Sequence, residues 1–244
     1  MVTGDLAQLI GAGQLLVVFT GAGISTESGI PDFRSPGGRW SRYQPVTIQE
    51  FLTSDDARRR YWEYKRAAWP AIATAQPNAG HRAIAELERR GQLQALITQN
   101  IDGLHTLAGS SPERLLELHG TERTVTCLTC AARSDRTEVQ TRLDAGEAVP
   151  QCPCGGWLKP ATVSFGQSLA ADVLERAFQH AQSCAAFLAV GSSLVVTPAA
   201  YLPQQAKRSG AWLGILNREP TPLDSLADWI CRERAGEVLS EALG

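Results

Sequence analysis

Four short apolar runs punctuate the chain, and each ends in small or polar residues. They are Leu15 to Thr20, followed by Gly21-Ala22-Gly23; Leu93 to Thr98, followed by Gln99-Asn100-Ile101-Asp102; Ala185 to Val190, followed by Gly191-Ser192-Ser193; and Trp212 to Leu216, followed by Asn217. Runs of this length without polar alternation suit strands buried on both faces, as in a parallel sheet. Between them the period changes to that of a helix. Ala79 to Arg90 sets Ile84 and Leu87 on one face and stops at Gly91. Leu169 to Ala181 carries a stripe of Val173, Leu174, Ala177, Phe178 and Ala181. Pro198 to Ser209 reads as a helix that starts at a proline, is kinked at Pro203 and ends before Gly210. This alternation predicts a doubly wound α/β fold with a parallel, Rossmann-like sheet.

Two stretches break the pattern. Residues 35–77 are polar, aromatic and partly helical, with Ser54 placed as N-cap of the segment Asp55 to Trp69. Residues 122–159 hold four paired cysteines and little apolar periodicity. Both are expected to be insertions forming a smaller lobe, one part helical and one part metal-binding. The larger lobe is then made of 1–34, 78–121 and 160–244.

A chain of 244 residues has room for one sizeable core and a smaller attached module. Its apolar content of 43% and charged content of 20% are those of an ordinary globular protein. A net charge of −2 argues against a general binder of nucleic acid or membrane surfaces. No window approaches the roughly 20 apolar residues that span a bilayer. The first residues contain Asp5 and no basic region, so they do not read as an export signal, and a cytoplasmic, reducing location is expected. In that setting the close pairs Cys127/Cys130 and Cys152/Cys154 read as metal ligands, not disulfides. The pairs are separated by 21 residues and can close a tetrahedral four-sulfur site, which favours one zinc ion. Such a site has no open coordination position, so its role is structural. Cys184 and Cys231 sit among apolar residues and read as core.

In an open parallel sheet, ligands bind beyond the carboxyl ends of the strands. All four expected strand ends carry glycines, amides, hydroxyls or a carboxylate. Gly21-Ala22-Gly23 lets a backbone approach a pyrophosphate and donate N–H groups at a helix start. Alone it is equally a tight turn, and Thr26 takes the third glycine position of the dinucleotide fingerprint. The following Gly29-Ile30-Pro31-Asp32-Phe33-Arg34 combines a rigid turn, a carboxylate, a ring that either packs in the core or covers a ligand, and a guanidinium that is either solvated or holds an anion. Asn100 and Asp102 either contact a ligand or cap a turn. His119 titrates near neutrality and suits a general base.

The runs GAGISTESGIPDFRS (21–35) and TQNIDGLH (98–105), the pair His119-Gly120, the paired cysteines and GSSLVVTPAA (191–200) together resemble the sirtuin family, in the family's order and over nearly the whole chain. RRRYWEYKRAAW (58–69) followed by QPNAGH (76–81) is most similar to the class II, bacterial type. The resemblance implies an NAD-dependent protein-lysine deacylase whose partners are acyl-lysine-bearing proteins. NAD and peptide would meet between a large NAD-binding lobe and a small zinc-bearing lobe. It assigns His119, Asn100 and Asp102 to catalysis, with His119 taking a proton from a ribose hydroxyl that attacks an alkylimidate; nicotinamide and O-acyl-ADP-ribose are released. It assigns the cofactor to Gly21, Ala22, Gly23, Ile30, Pro31, Asp32, Phe33, Arg34, Gln99, Asn100, Ile101, Asp102, Gly191, Ser192 and Ser193, with Asn217, Arg218 and Ala235 at the adenosine end. It assigns the peptide to Val163, Phe165 and Gly166, and zinc to Cys127, Cys130, Cys152 and Cys154. His81, His105 and His180 are left with structural roles.

Three positions depart from the family pattern. Ser164 replaces a large aromatic residue, Gln167 a glutamate and Lys159 an arginine, and the first of these bears on acyl-chain preference. Tyr61-Trp62-Glu63-Tyr64-Lys65-Arg66 lacks the Tyr-x-x-Arg spacing of relatives that take acidic acyl groups, so succinyl or malonyl specificity is not expected. A mono-ADP-ribosyltransferase on the same fold and a non-catalytic NAD-sensing module remain as alternatives. The oligomeric state is open, and a monomer is compatible with everything above.

Overall fold

The computed structural model describes residues 4–32 and 43–244. In chain order its elements begin with α1 (Gly4–Gly11), β1 (Leu16–Thr20), a 3-10 segment (Ala22–Ser28), α2 (Ile48–Thr53), α3 (Asp55–Thr74), α4 (Ala79–Arg89) and β2 (Leu93–Thr98). Next come α5 (Leu104–Leu107), β3 (Leu115–Glu117), β4 (Gly120–Cys127), β5 (Arg133–Asp135), α6 (Arg136–Asp144) and β6 (Leu158–Thr162). The chain ends with α7 (Ala171–Ser183), β7 (Ala186–Val190), α8 (Tyr201–Arg208), β8 (Trp212–Leu216), β9 (Trp229–Cys231) and α9 (Ala235–Leu243).

The four apolar runs are the four inner strands of a six-stranded sheet ordered β3-β2-β1-β7-β8-β9, with every pairing parallel. Each strand is buried on both faces because alternate residues face opposite layers of helices. Leu16 and Val18 enter one core with residues of α1, α4 and α9, whereas Val17 and Phe19 enter the other with residues of α7 and α8. The α7 stripe packs as expected: Ala177 and Ala181 are fully buried, and Val173, Leu174 and Phe178 lie against them. Cys184 and Cys231 are core residues.

The chain runs outward from β1 in both directions, to β2 and β3 on one side and to β7, β8 and β9 on the other. The switch point, where ligands bind in such sheets, therefore lies between the tips of β1 and β7. Two local expectations change. The helix expected from Pro198 begins at Tyr201, so Pro203 falls in its first turn, where a missing N–H and a fixed φ are tolerated and no kink results. The segment after Gly21 is a 3-10 helix, not an α-helix. Elements too short or too polar for periodicity to reveal also appear, among them α1, β3, β9 and α9.

A second, antiparallel sheet ordered β5-β4-β6 packs with α2, α3 and α6. Ser54 caps α3, accepting the Ala57 N–H at 3.2 Å, which contributes about 1 kcal/mol. One apolar core joins Phe51, Tyr61 and Trp62 of the helical stretch to Val125, Val139, Leu143 and Leu158 of the cysteine-bearing stretch. Beside it lies a buried ionic cluster. Glu122 pairs with Lys65 and lies 3.5 Å from Arg136, and all three side chains are almost fully enclosed. Lys159 is also buried, donating to the Pro160 and Thr162 carbonyls. Burial, with the positive charge of Lys65, pushes Lys159 down to about 7, against the pull of Glu122. Glu122 is thus the carboxylate in direct ion-pair contact with Lys65 and Arg136. Replacing it, Glu122→Gln, leaves them unpaired and is expected to cost about 3–5 kcal/mol in chemical denaturation. A loss of less than about 1 kcal/mol would mean that water already compensates the cluster.

Candidate active site

The strand tips converge on one cleft of about 990 Å³. Its described lining includes Gly21, Ala22, Gly23 and Asp32 from the β1 side, Gln99, Asn100 and Ile101 after β2, and His119 before β4. Val163, Phe165 and Gly166 after β6, Gly191, Ser192 and Ser193 after β7, and Asn217 after β8 also line it. The structure therefore brings together most of the residues singled out in the sequence. Asp102 is buried one layer behind Asn100, while Ile30 packs against Ala75 and Leu104. Pro31 and Arg218 are exposed, and Ala235 is buried at the start of α9; none of the five is in the described lining. Phe33 and Arg34 lie outside the described residues.

The glycines act first on the protein itself. The Gly21 N–H donates to the Val190 carbonyl at 3.0 Å and the Gly23 N–H to the Gly191 carbonyl at 2.8 Å. A Cβ on Gly21 would lie 2.7 Å from the Gly191 oxygen, and one on Gly23 2.8 Å from the Gly191 Cα. These N–H groups are spent on strand-to-strand contact, so they are not the ones left to meet a phosphate. Lys65 is the one cation in the described lining and is paired with Glu122. Among the described residues, anion binding in the cleft falls to hydroxyls and remaining backbone N–H groups. Ser192 also ties the walls together, accepting from Gln99 Nε2 at 2.8 Å and from the Leu194 N–H at 3.3 Å.

His119 is held from two sides. Its Nδ1 lies 2.9 Å from the Gln99 carbonyl oxygen. A carbonyl only accepts, so Nδ1 carries the proton and the neutral ring keeps its lone pair on Nε2. Its own carbonyl accepts the Val163 N–H at 2.9 Å, which joins the end of β6 to the main chain of His119. Burial pushes His119 below the ordinary imidazole range, opposed by the bond to Gln99. The ring is therefore held toward its neutral form.

Behind the cleft lies a buried hydrogen-bonded layer in which Asn100 and Asp102 are joined by Thr20, Ser25 and Thr98, which sequence reasoning passed over. Thr20 Oγ1 donates to Thr98 Oγ1 at 2.8 Å, and Thr98 also accepts the Asn100 N–H at 3.0 Å. With its proton spent, Thr20 accepts from His105 Nε2 at 3.0 Å. Ser25 Oγ donates to Asp102 Oδ2 at 2.7 Å, and Asp102 Oδ1 accepts the Leu104 N–H at 2.9 Å. Asn100 Nδ2 donates to the Gly21 carbonyl and to Ser25 Oγ, both at 3.1 Å. The only sequence signal for these hydroxyls is polarity at the end of an apolar strand or inside the GAGIS run.

The four paired cysteines form one cluster with all ligand atoms within 4.8 Å of one another. Cys127 Sγ is 3.5 Å from Cys154 Sγ, and Cys130 Sγ is 3.7 Å from Cys152 Sγ. Four thiolates around zinc at 2.3 Å are about 3.8 Å apart, so the arrangement fits the ion. The N–H of Cys130, seconded by that of Thr129 and by neighbouring thiols, holds Cys127 down to about 6. The Gly156 N–H acts the same way on Cys154, but the neighbouring thiols outweigh it and push that group up to about 12. Thiols this close cannot all ionise without a cation, and a divalent ion removes the conflict. These four residues would hold zinc as a closed cross-link beneath β4. One zinc per chain is expected by elemental analysis, and stripping it with a chelator should lower the melting temperature and abolish turnover together. A fully active metal-free protein would contradict the structural role.

Comparison with known proteins agrees with this geometry. Residues 21–198 match the model of the Sir2 family. An NAD-dependent protein deacetylase of Rhodopseudomonas palustris is 47% identical over 241 residues, covering 98% of this chain and 95% of its own. A solved complex of Sir2 with p53 peptide and NAD⁺ superposes with a TM-score of 0.90 at 34% identity, covering 100% of this chain and 98% of that one. A Sir2 structure bound to acetylated peptide gives a TM-score of 0.90 at 33% identity, with the same coverage. With its parallel sheet, its cysteine cluster and these relatives, the chain belongs to the Sir2 family, the sirtuins that its motifs resemble.

Proposed function

We propose that the protein is an NAD-dependent protein-lysine deacylase, acting on acyl-lysine-bearing proteins and releasing nicotinamide and O-acyl-ADP-ribose. One observation carries this: His119, fixed as an Nε2 base by the Gln99 carbonyl, lines the cleft on which the parallel strand tips converge. The relatives support it, being named deacetylases or solved with NAD and acetylated peptide. In this reading the cleft divides lobes of 1–34, 78–121 and 160–244 from 35–77 and 122–159. The NAD ribose and nicotinamide lie at Gln99, Asn100 and Asp102, the phosphates beside Ala22 and Ser192-Ser193, and the adenosine toward Asn217. The acyl-lysine enters along Val163 to Gly166, where it adds to the end of β6 by main-chain hydrogen bonds.

His119 accepts the proton of a ribose hydroxyl, and its Gln99 bond steadies the imidazolium that forms. Zinc supplies stability to the small sheet and no chemistry. No helix among the described residues is long and apolar enough to cross a membrane. A cytoplasmic location suits a four-thiol site that needs reducing conditions.

Incubation with NAD and a panel of acyl-lysine peptides, with products identified by mass, tests the reading. Free lysine with O-acyl-ADP-ribose supports it; a protein that gains ADP-ribose instead assigns a transferase. His119→Ala is expected to lose about 10²–10⁴-fold in kcat/KM at unchanged melting temperature. In the parent, kcat/KM should stay flat through neutral pH. It should fall only as pH drops through a value below the ordinary imidazole pKa of about 6.5, because protonation removes the base. An acid limb centred above that value would assign the base elsewhere.

Ser164 lines the cleft between Val163 and Phe165, its N–H closed onto Gln167 Oε1 at 3.2 Å. Ser164→Phe fills space beside the acyl group and is expected to lower the ratio of long-chain to acetyl rates by about tenfold. An unchanged ratio removes the link between Ser164 and chain length.

A further inference from the structure

Asn78 donates its backbone N–H to His81 Nδ1 at 3.3 Å, so that nitrogen accepts. The neutral ring then carries its proton on Nε2, which lies 3.4 Å from Ser25 Oγ. Ser25 demands the same arrangement independently. Its single proton goes to Asp102 Oδ2 at 2.7 Å, so toward His81 the hydroxyl can only accept. Its other lone pair takes Asn100 Nδ2 at 3.1 Å. Ser25 is saturated, and its rotor has one setting. With the opposite tautomer, His81 would compete with Asp102 for the serine proton and face the Asn78 N–H with a second donor. Burial keeps the ring neutral, pushing it down to about 4 against the pull of Asp102.

We propose that His81 is a positioning residue: by donating from Nε2 to Ser25 it orients the Asn100 amide and the Asp102 carboxylate for the carboxamide of nicotinamide. The proposal rests on the reading that the nicotinamide end of NAD lies at those two residues. It goes further than the helix-capping role, which His81 also fills through Asn78.

The two roles separate by substitution. His81→Asn keeps an acceptor near the Nδ1 position and drops the donor to Ser25. His81→Gln reaches the Nε2 position with an amide N–H and drops the cap. Positioning predicts that His81→Asn raises the KM for nicotinamide in isotope exchange into NAD, and lowers kcat/KM for NAD, by about tenfold, the loss of one well-placed hydrogen bond. His81→Gln should stay within about threefold of the parent, with a lower melting temperature where the cap is lost. Parental exchange in His81→Asn, equal losses in both variants, or a greater loss in His81→Gln would each overturn the proposal. Nitrogen NMR of the imidazoles in the unmodified protein decides the geometry without any turnover. A proton on Nε2 and none on Nδ1 of His81 supports the inference, and a proton on Nδ1 overturns it. Were the parent inactive with NAD, the proposed function would fall, and the NMR result would still stand or fall separately.

Discussion

The contact between the tips of β1 and β7 is the constraint from which the site follows. Gly21 and Gly23 press against Gly191 so closely that a side chain at either glycine would meet backbone. That approach lets the Val190 and Gly191 carbonyls at the end of β7 accept N–H groups from the turn after β1, and it closes the point at which the sheet reverses its winding. Gln99 reaches Ser192 and Asn100 reaches the Gly21 carbonyl only because the three tips are drawn together. His119 depends in turn on Gln99, whose carbonyl sets its tautomer. A short chain of hydrogen bonds thus connects glycine packing to the tautomer of His119.

The two lobes handle buried polarity in different ways. Behind the strand tips, the groups around Ser25 and Thr20 are mostly hydroxyls, amides and imidazoles linked by hydrogen bonds, with the Asp102 carboxylate held by Ser25 and Leu104. Such a layer is stiff because rotating one hydroxyl leaves another group unpaired in a low-dielectric interior. The small lobe instead surrounds Glu122 with buried cations and gathers four cysteines at the end of its central strand. Its apolar core lies beside these ion pairs and beside the four cysteines that would hold zinc. Lys65 and Glu122 also line the cleft, so the electrostatics of that lobe and the wall of the site share residues.

By itself the sequence determined the sheet, its buried strands, the pairing of cysteines and the identity of the strand-tip residues. Each of these rests on local information. Continuous apolar runs of five or six residues specify strands covered on both sides, and two cysteine pairs at zinc spacing specify a cluster. It did not determine β3 or β9, because three residues are too few to show a period, nor where α8 starts, because proline is tolerated throughout the first turn of a helix. The tertiary structure alone decided which hydroxyl meets which carboxylate. Ser25 and Asp102 are 77 positions apart, and Thr20 and His105 are 85 apart, with no local pattern linking them. It also set the protonated nitrogen of His119, since that depends on a carbonyl 20 residues away in sequence. Residue type and spacing are properties of the chain, whereas the direction of a hydrogen bond exists only once distant segments have packed.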